Sequence, residues 1–299
     1  MEVVLPMPGT YIVAVSGGVD SRVLLDILIK QTNLSDHKYF IAHLDHGIRS
    51  DSNSDLKFVT QLAEDYEVPI ESMSITLGPD ASEERARIER YSFLKDAQRK
   101  HKAGAIITAH HQDDVLETAI INLMRGTGRK GLTSLQNHEH LLRPLLLIPK
   151  SELIKYAIKN KLTWREDTTN LDDTYLRNYV RHSIVGRLNN ENRQQFIDLL
   201  SSMKTTNTEL DTLLVNQLSQ QSENGSLNRS WFNLLPHKVA KEMMASWLRL
   251  NDLRSFDSKT IERLVVAAKS SRAGQKYPIY GHSSMMVGKD YLALELAER

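Results

Sequence analysis

One hexapeptide constrains this chain more than any other stretch: Ser16-Gly17-Gly18-Val19-Asp20-Ser21. It follows Tyr11-Ile12-Val13-Ala14-Val15, an apolar run of strand length, and precedes Val23-Leu24-Leu25-Asp26-Ile27-Leu28-Ile29, which reads as a helix apolar on most faces. A strand that turns through two glycines into a helix makes an anion site. Backbone N–H groups at the helix start point outward unpaired, the helix dipole adds partial positive charge, and glycine lets the main chain approach a phosphate closely. Ser16 and Ser21 are expected to add hydroxyl donors.

No G-x-x-x-x-G-K-[ST] occurs in the chain, so this is not the nucleotide loop that carries its own lysine. A loop bearing Asp20 must offset that charge against a polyphosphate, and a divalent cation between the two would do so. The plainer alternative is an ordinary βα turn. The hexapeptide resembles the pyrophosphate loop of the ATP pyrophosphatases, which cleave ATP between the α and β phosphates. That resemblance identifies a superfamily and not a substrate.

Strand and helix patterns alternate through the first 125 residues. Strands are expected at 11–15, 39–44, 70–77 and 105–109. Helices are expected after the loop, over 55–67, from Ser82 to about Lys102 and over 113–124. Alternating βα units predict an α/β fold, a parallel sheet with helices on both faces, whose ligands sit at the carboxyl ends of the strands. Three polar clusters fall there: 16–21, 43–47 and 110–114. Beyond Arg125 the pattern loosens into a loop up to Pro149, then a helix over 151–159. The expected domains are 1–188, a helical linker 189–224, and a small α+β domain 225–299. The last holds helices near 236–250 and 258–268 and two short strands, 276–280 and 291–296.

The segment His110-His111-Gln112-Asp113-Asp114-Val115-Leu116-Glu117-Thr118 begins at a strand end and enters a helix. Acids in a first helical turn suit the dipole, and Asp114 and Glu117 share a face. Three readings follow: a hydrolase metal centre with both histidines, a capping role, or an acid facing the loop and helping hold Mg²⁺. Gly126-Thr127-Gly128-Arg129-Lys130-Gly131 matches G-x-G-x-x-G but follows a helix, so the dinucleotide context is missing. Its content is a flexible basic loop suited to a polyanion.

Further motifs point one way. His43-Leu44-Asp45-His46-Gly47-Ile48-Arg49 looks like H-x-D-H-G-x-R, Ala86-Arg87-Ile88-Glu89-Arg90-Tyr91 like A-R-x-x-R-Y, and the 110–118 segment like H-H-x-D-D-x-x-E-T. Arg125-Gly126-Thr127-Gly128, Arg143-Pro144-Leu145-Leu146, Glu166-Asp167-Thr168-Thr169-Asn170 and Arg177-Asn178-Tyr179-Val180-Arg181 complete the set. Together they resemble the bacterial tRNA(Ile)-lysidine synthetases, almost continuously over residues 12–188 and only weakly beyond 190. The length suits the shorter members, with a catalytic domain and one C-terminal domain.

The resemblance implies that ATP adenylates C2–O of the wobble cytidine in an isoleucine tRNA with a CAU anticodon. Free L-lysine then displaces AMP to give lysidine. It implies ATP contacts at Ser16, Gly17, Gly18, Val19, Asp20, Ser21, His43, Arg125 and Gly126, with Mg²⁺ on Asp20 and Asp114. Asp20, Asp113 and Asp114 would be catalytic. Contacts to tRNA would come from Arg87, Arg90, Arg129, Lys130, Arg177, Asn178 and Arg181. The bland alternative for Arg87 and Arg90 is a solvated helix face; for the last three it is structural salt bridges with Glu166 and Asp167. Arg272 and Lys276 are further expected tRNA contacts.

Composition narrows the rest. The chain has 299 residues, a net charge of +1 and no cysteine. Disulfides, thiolate metal sites and cysteine nucleophiles are excluded, which disfavours the rival tRNA 2-thiolation by enzymes that use cysteine or Fe–S chemistry. Any nucleic-acid contact must come from local basic patches. No apolar run approaches the ~20 residues of a membrane span, and Met1–Pro6 lacks a basic n-region, so a cytoplasmic protein is expected. A homodimer is left open. The competing classes are a small-molecule ligase such as an NAD synthetase and a non-catalytic tRNA-binding module.

Overall fold

A computed structural model describes residues 3–33, 35–45, 52–76, 83–165, 176–254 and 256–296. Ser82, the segments 46–49 and 166–170, and Leu77 lie outside the described residues. The chain divides into two compact units, Met1–Ser201 and Ser202–Arg299.

The first unit opens with β1 (Gly9–Ala14), α1 (Val19–Gln31), β2 (His37–Asp45), α2 (Ser52–Asp65), β3 (Ile70–Ser74), α3 (Glu83–Lys100), β4 (Ala105–Ile107) and α4 (Gln112–Met124). Then come α5 (Arg129–Leu132), β5 (Leu141–Leu142), α6 (Lys150–Lys159) and α7 (Leu176–Tyr179). A π-turn Val180–Ile184, a 3₁₀ turn Val185–Arg187 and the first part of α8 (Asn190–Gln221) complete it. The strands form one parallel sheet in the order β3-β2-β1-β4-β5.

Both faces of this sheet are buried, which is why its strands read as unbroken apolar runs. Side chains alternate between the faces. Tyr11, Val13 and Val15 join the core with α1, α2 and α6, whereas Ile12 joins Phe93, Leu94 and Ala97 of α3. In α1 Val23, Leu24, Leu25, Ile27 and Leu28 are all fully buried, so a helix apolar on most faces sits in the protein interior. Shortening any of these leucines to alanine would cost roughly 2–5 kcal/mol.

The strand order reverses between β1 and β4. The chain winds outward from β1 to β3, then returns to lay β4 on the other side of β1. Such a reversal opens a crevice at the strands' carboxyl ends, where open α/β sheets take their ligands. The loop 16–21 leaves β1 there, and 110–114 leaves β4.

The stretch 125–149 is not all loop, because β5 adds a fifth strand through two residues, too few for any periodicity to register. The second unit holds the rest of α8, then β6 (Ser222–Glu223), β7 (Ser226–Asn228), α9 (Arg229–Leu234), α10 (His237–Leu250) and α11 (Ser258–Ser270). It ends with β8 (Gln275–Tyr280), β9 (Ser283–Val287) and β10 (Tyr291–Glu295). Its antiparallel sheet runs β6-β7-β10-β9-β8, so two expected strands become five. Asn224 and Gly225, with φ of 51° and 78°, make the tight β6–β7 turn, and Asn-Gly is the pair such a turn demands. Leu210, Leu214 and Leu218 of α8 pack into this unit's core with Phe232, Met244, Trp247 and Leu264.

Candidate active site at the sheet reversal

The loop after β1 is stitched by its own serines. Ser21 Oγ donates to Gly18 O at 3.0 Å and accepts from Ser16 N at 3.2 Å, with Ser16 Oγ 3.3 Å away. Ser21 therefore spends its hydroxyl proton inside the loop and does not offer it outward as expected. Gly17 takes φ of 89°, a left-handed conformation that favours glycine, while the space around it would admit a Cβ. No side chain caps the start of α1, at Gly18. Its first N–H groups keep the anion-binding character inferred for them.

Asp20, in the first turn of α1, meets two residues from distant parts of the chain. Its Oδ2 lies 3.1 Å from Lys150 Nζ and 3.5 Å from His111 Nε2. Burial works against the charge on Asp20, but His111 and Lys150 outweigh it and hold the carboxyl below its ordinary range. His111 Nε2 also stands 3.6 Å from Asp114 Oδ2. The imidazole is almost wholly buried. Burial opposes its protonation, yet Asp20 and Asp114 together raise its pKa above the ordinary value. Asp114 Oδ2 accepts the His111 N–H at 2.9 Å, so this acid both caps α4 and faces the cluster. Burial also opposes its charge, and the neighbouring histidines, the backbone bond and Arg177 hold its carboxyl low.

Asp113 borders the cluster, its Oδ1 4.0 Å from His111 Nδ1. Its Oδ1 accepts the backbone N–H of Lys150 at 3.1 Å and pairs with Arg193 Nη1 at 2.8 Å. Glu117, one turn further along α4, is fully buried. Arg181 grips it with two bonds, Nε to Oε1 at 2.7 Å and Nη2 to Oε2 at 3.1 Å, and Arg177 Nε adds a third at 3.0 Å. Both guanidiniums lie within 4 Å of Asp114 Oδ1. Arg177 and Arg181 are four apart and share a face. The π-turn begins between them, and such turns recur at functional sites. Their expected pairing with Glu166 and Asp167 falls outside the described residues; among the described residues the two arginines meet Glu117 and Asp114. Asn178 is buried beside them.

His43, at the end of β2, donates Nδ1–H to Val15 O at 2.8 Å, which leaves its buried Nε2 as an acceptor without a partner. His110 Nδ1 bonds Thr108 Oγ1 at 2.8 Å. Burial, with Arg143, Arg90 and Arg177 nearby, lowers its pKa to about 3 against the pull of Asp114, the opposite direction to its neighbour His111. Arg90 lies within electrostatic range of Arg177 and Asp114, while Arg87 stacks over the Tyr91 ring at 5.0 Å.

Other expected site residues are not brought to this cluster. Arg125, Gly126, Arg129 and Lys130 follow the far end of α4, about 18 Å along the helix from Asp113 at 1.5 Å per residue. Lys276 pairs with Glu295 at 2.7 Å in the second unit. Conversely, Lys150, His111, Glu117 and Arg193 were not on the sequence-derived list. Lys150 and Arg193 carry no local signal, but His111 and Glu117 stood inside a motif already in view.

Among the described residues no group of three or more His, Asp or Glu side chains is arranged to hold a metal ion, so a dinuclear hydrolase centre is not formed there. One cation shared with a polyphosphate does fit. Asp20 Oδ1 is buried without a hydrogen-bond partner, an anionic oxygen beside an anion-binding loop.

Comparison with known proteins agrees with this layout. A family profile described as "PP-loop domain" matches residues 7–188. The tRNA(Ile)-lysidine synthase of Thermotoga maritima is 41% identical over 181 residues, covering 58% of this chain and 44% of that protein. That of Enterococcus faecalis is 31% identical over 222 residues, 71% of this chain and 47% of that protein. That of Coxiella burnetii is 27% identical over 308 residues, covering 96% of this chain and 67% of that protein. The chain thus spans less than half the length of the first of these relatives. No helix among the described residues is long and apolar enough to cross a membrane.

Proposed function

From the premise that this chain belongs to the PP-loop family of ATP-binding domains, we propose that it ligates lysine to C2 of the wobble cytidine in an isoleucine tRNA with a CAU anticodon. The observation that carries the proposal is the convergence of Asp20, His111, Asp114 and Lys150 at the sheet reversal, in a chain whose curated relatives bear the name tRNA(Ile)-lysidine synthase.

The chemistry runs in two displacements. The cytidine O2 attacks the α-phosphorus of ATP, the bond to the bridging oxygen breaks, and pyrophosphate leaves with the electron pair. The lysine amine then attacks C2, the C2–O bond breaks, AMP leaves, and the amine loses a proton. Adenylation is needed because C2–O leaves poorly by itself and a phosphate ester leaves readily. Ser16–Ser21 and the start of α1 bind the phosphates through backbone N–H groups. Asp20, with Asp114 behind His111, would hold Mg²⁺, which supplies charge neutralisation for the polyphosphate. His111 orients the two acids, and His43 offers a fixed acceptor at Nε2. Arg87 and Arg90 on α3, with Arg129 and Lys130, serve the tRNA backbone. Binding and alignment of three reactants make both displacements effectively unimolecular.

The test is nucleoside mass spectrometry of the tRNA after incubation with the protein, ATP and lysine. A lysine-sized increment on the wobble cytidine, with one AMP released per modification, is expected. AMP release without lysine incorporation would leave an ATP pyrophosphatase of another substrate.

A further inference from the structure

The pyrophosphate loop contains an aspartate and no lysine, yet a lysine reaches it from far along the chain. Lys150 is the first residue of α6, after Pro149, and its Nζ lies 3.1 Å from Asp20 Oδ2. Contacts on both sides fix that reach. The Lys150 N–H is held by Asp113, which is itself anchored by Arg193, and Gln112 N–H donates to Ile148 O at 3.0 Å. Further along α6, Leu153 and Ala157 are fully buried, and Tyr156 OH donates to Asp26 Oδ2 at 2.9 Å. Asp26 lies on α1, as Asp20 does, so α6 is docked on the helix that the loop opens. The Lys150 side chain remains 36% exposed, so its ammonium sits at the open side of the loop.

We propose that Lys150 is the phosphate-binding lysine of this loop, supplied by α6 in place of a lysine within the hexapeptide, and that Asp113 is a positioning residue acting through it. The assignment rests on the ATP reading above. A lysine ammonium acts on phosphate as a compact point charge. Placed beside Asp20, it meets the β and γ phosphates, where negative charge collects as the bond to the α phosphate breaks. If Lys150 merely neutralised Asp20, it would compete with the cation that Asp20 holds, and its removal would tighten nucleotide binding. The two roles therefore predict opposite signs.

The experiment is calorimetric titration of the full chain with Mg·ATP and, separately, with AMP. Lys150→Ala should weaken ATP binding roughly tenfold or more, the scale of one charge-assisted hydrogen bond, and leave AMP binding within about twofold. Lys150→Arg should recover most of the loss. Lys150→Met keeps the aliphatic stem and replaces the alanine variant if that one fails to fold. Asp113→Asn should show a smaller loss confined to ATP. Unchanged or tighter ATP binding by Lys150→Ala, or equal losses for ATP and AMP, overturns the assignment while leaving the ATP reading intact. A wild-type chain that binds neither nucleotide overturns that reading and this assignment with it.

Discussion

Asp20 and Asp114 share one imidazole nitrogen: His111 Nε2 lies 3.5 Å from the first and 3.6 Å from the second. A protonated His111 thereby ties the loop after β1 to the helix after β4. The pKa of His111 is raised above 6.5, so its stabilising contribution is complete below the unfolded value and is lost as pH rises through the folded one. Both acids are held low, so their contributions are present above the unfolded carboxylate value of 3.8 and are lost as pH falls through the folded ones. His111→Asn should therefore lower Tm most at about pH 6, with the gap to wild type narrowing as pH rises above 6.5. Thermal scans across that range are the measurement. A constant gap would mean that His111 is neutral there.

The two roles of Asp114 can be separated by one substitution. An asparagine can still accept the His111 N–H that the carboxylate accepts at 2.9 Å, but it carries no charge. Asp114→Asn should keep the cap, lose only the stability that the carboxylate's charge contributes, and lower turnover by ~10² or more, as for other groups acting on developing charge. Asp114→Ala should lose that activity and also about 1 kcal/mol of stability from the missing cap. AMP release measured beside Tm decides the matter. Wild-type turnover by the asparagine variant would reduce Asp114 to a cap.

Glu117 tests the arginine fork. It is fully buried, and removing its charge takes away the acid that both Arg177 and Arg181 bond, leaving Asp114 within 4 Å of each guanidinium. Glu117→Ala should cost roughly 3–5 kcal/mol, the scale for breaking a buried ion pair from one side. Urea denaturation of the variant, alone and combined with Arg181→Ala, gives the coupling. A loss under about 1 kcal/mol would show that water screens the fork, as on a surface.

How much of this was legible depended on sequence range. The βα alternation and the loop 16–21 are local patterns, and the strands are apolar throughout because both faces are covered. The site is not local. Lys150 meets Asp20 and Arg193 meets Asp113 only because the sheet reverses between β1 and β4, and nothing near either basic residue announces it. His111 was visible, but a histidine among acids reads first as a metal ligand; here it stands between two carboxylates that raise its pKa. Asn224-Gly225 was a clear hairpin signal that the polar run before it obscured. The strand Ser283–Val287 lacked branched residues over most of its length and was passed over.

The second unit makes its own prediction through a buried cation that is held by backbone carbonyls. Arg229 is 9% exposed, and its guanidinium donates to Ala268 O at 2.8 Å, Gly288 O at 2.7 Å and Ser271 O at 2.6 Å. Two of these carbonyls belong to the end of α11, where the helix dipole favours positive charge. The charge therefore joins α9, α11 and the β9–β10 turn at one point. Arg229→Ala should loosen this unit and leave ATP binding intact, because the pyrophosphate loop lies in the first unit. If the second unit contacts tRNA, the variant should bind tRNA more weakly and with a flatter salt dependence, since fewer phosphates are engaged. This substitution is a cleaner probe than truncation near Asn224, which would leave Leu214 and Leu218, now 5% and 1% exposed, stripped of their core. Filter binding of tRNA across a salt series, with calorimetry of ATP on the same preparation, gives both readings. Wild-type tRNA affinity and salt slope, in a variant whose second unit is demonstrably loosened, would confine that unit to a structural role.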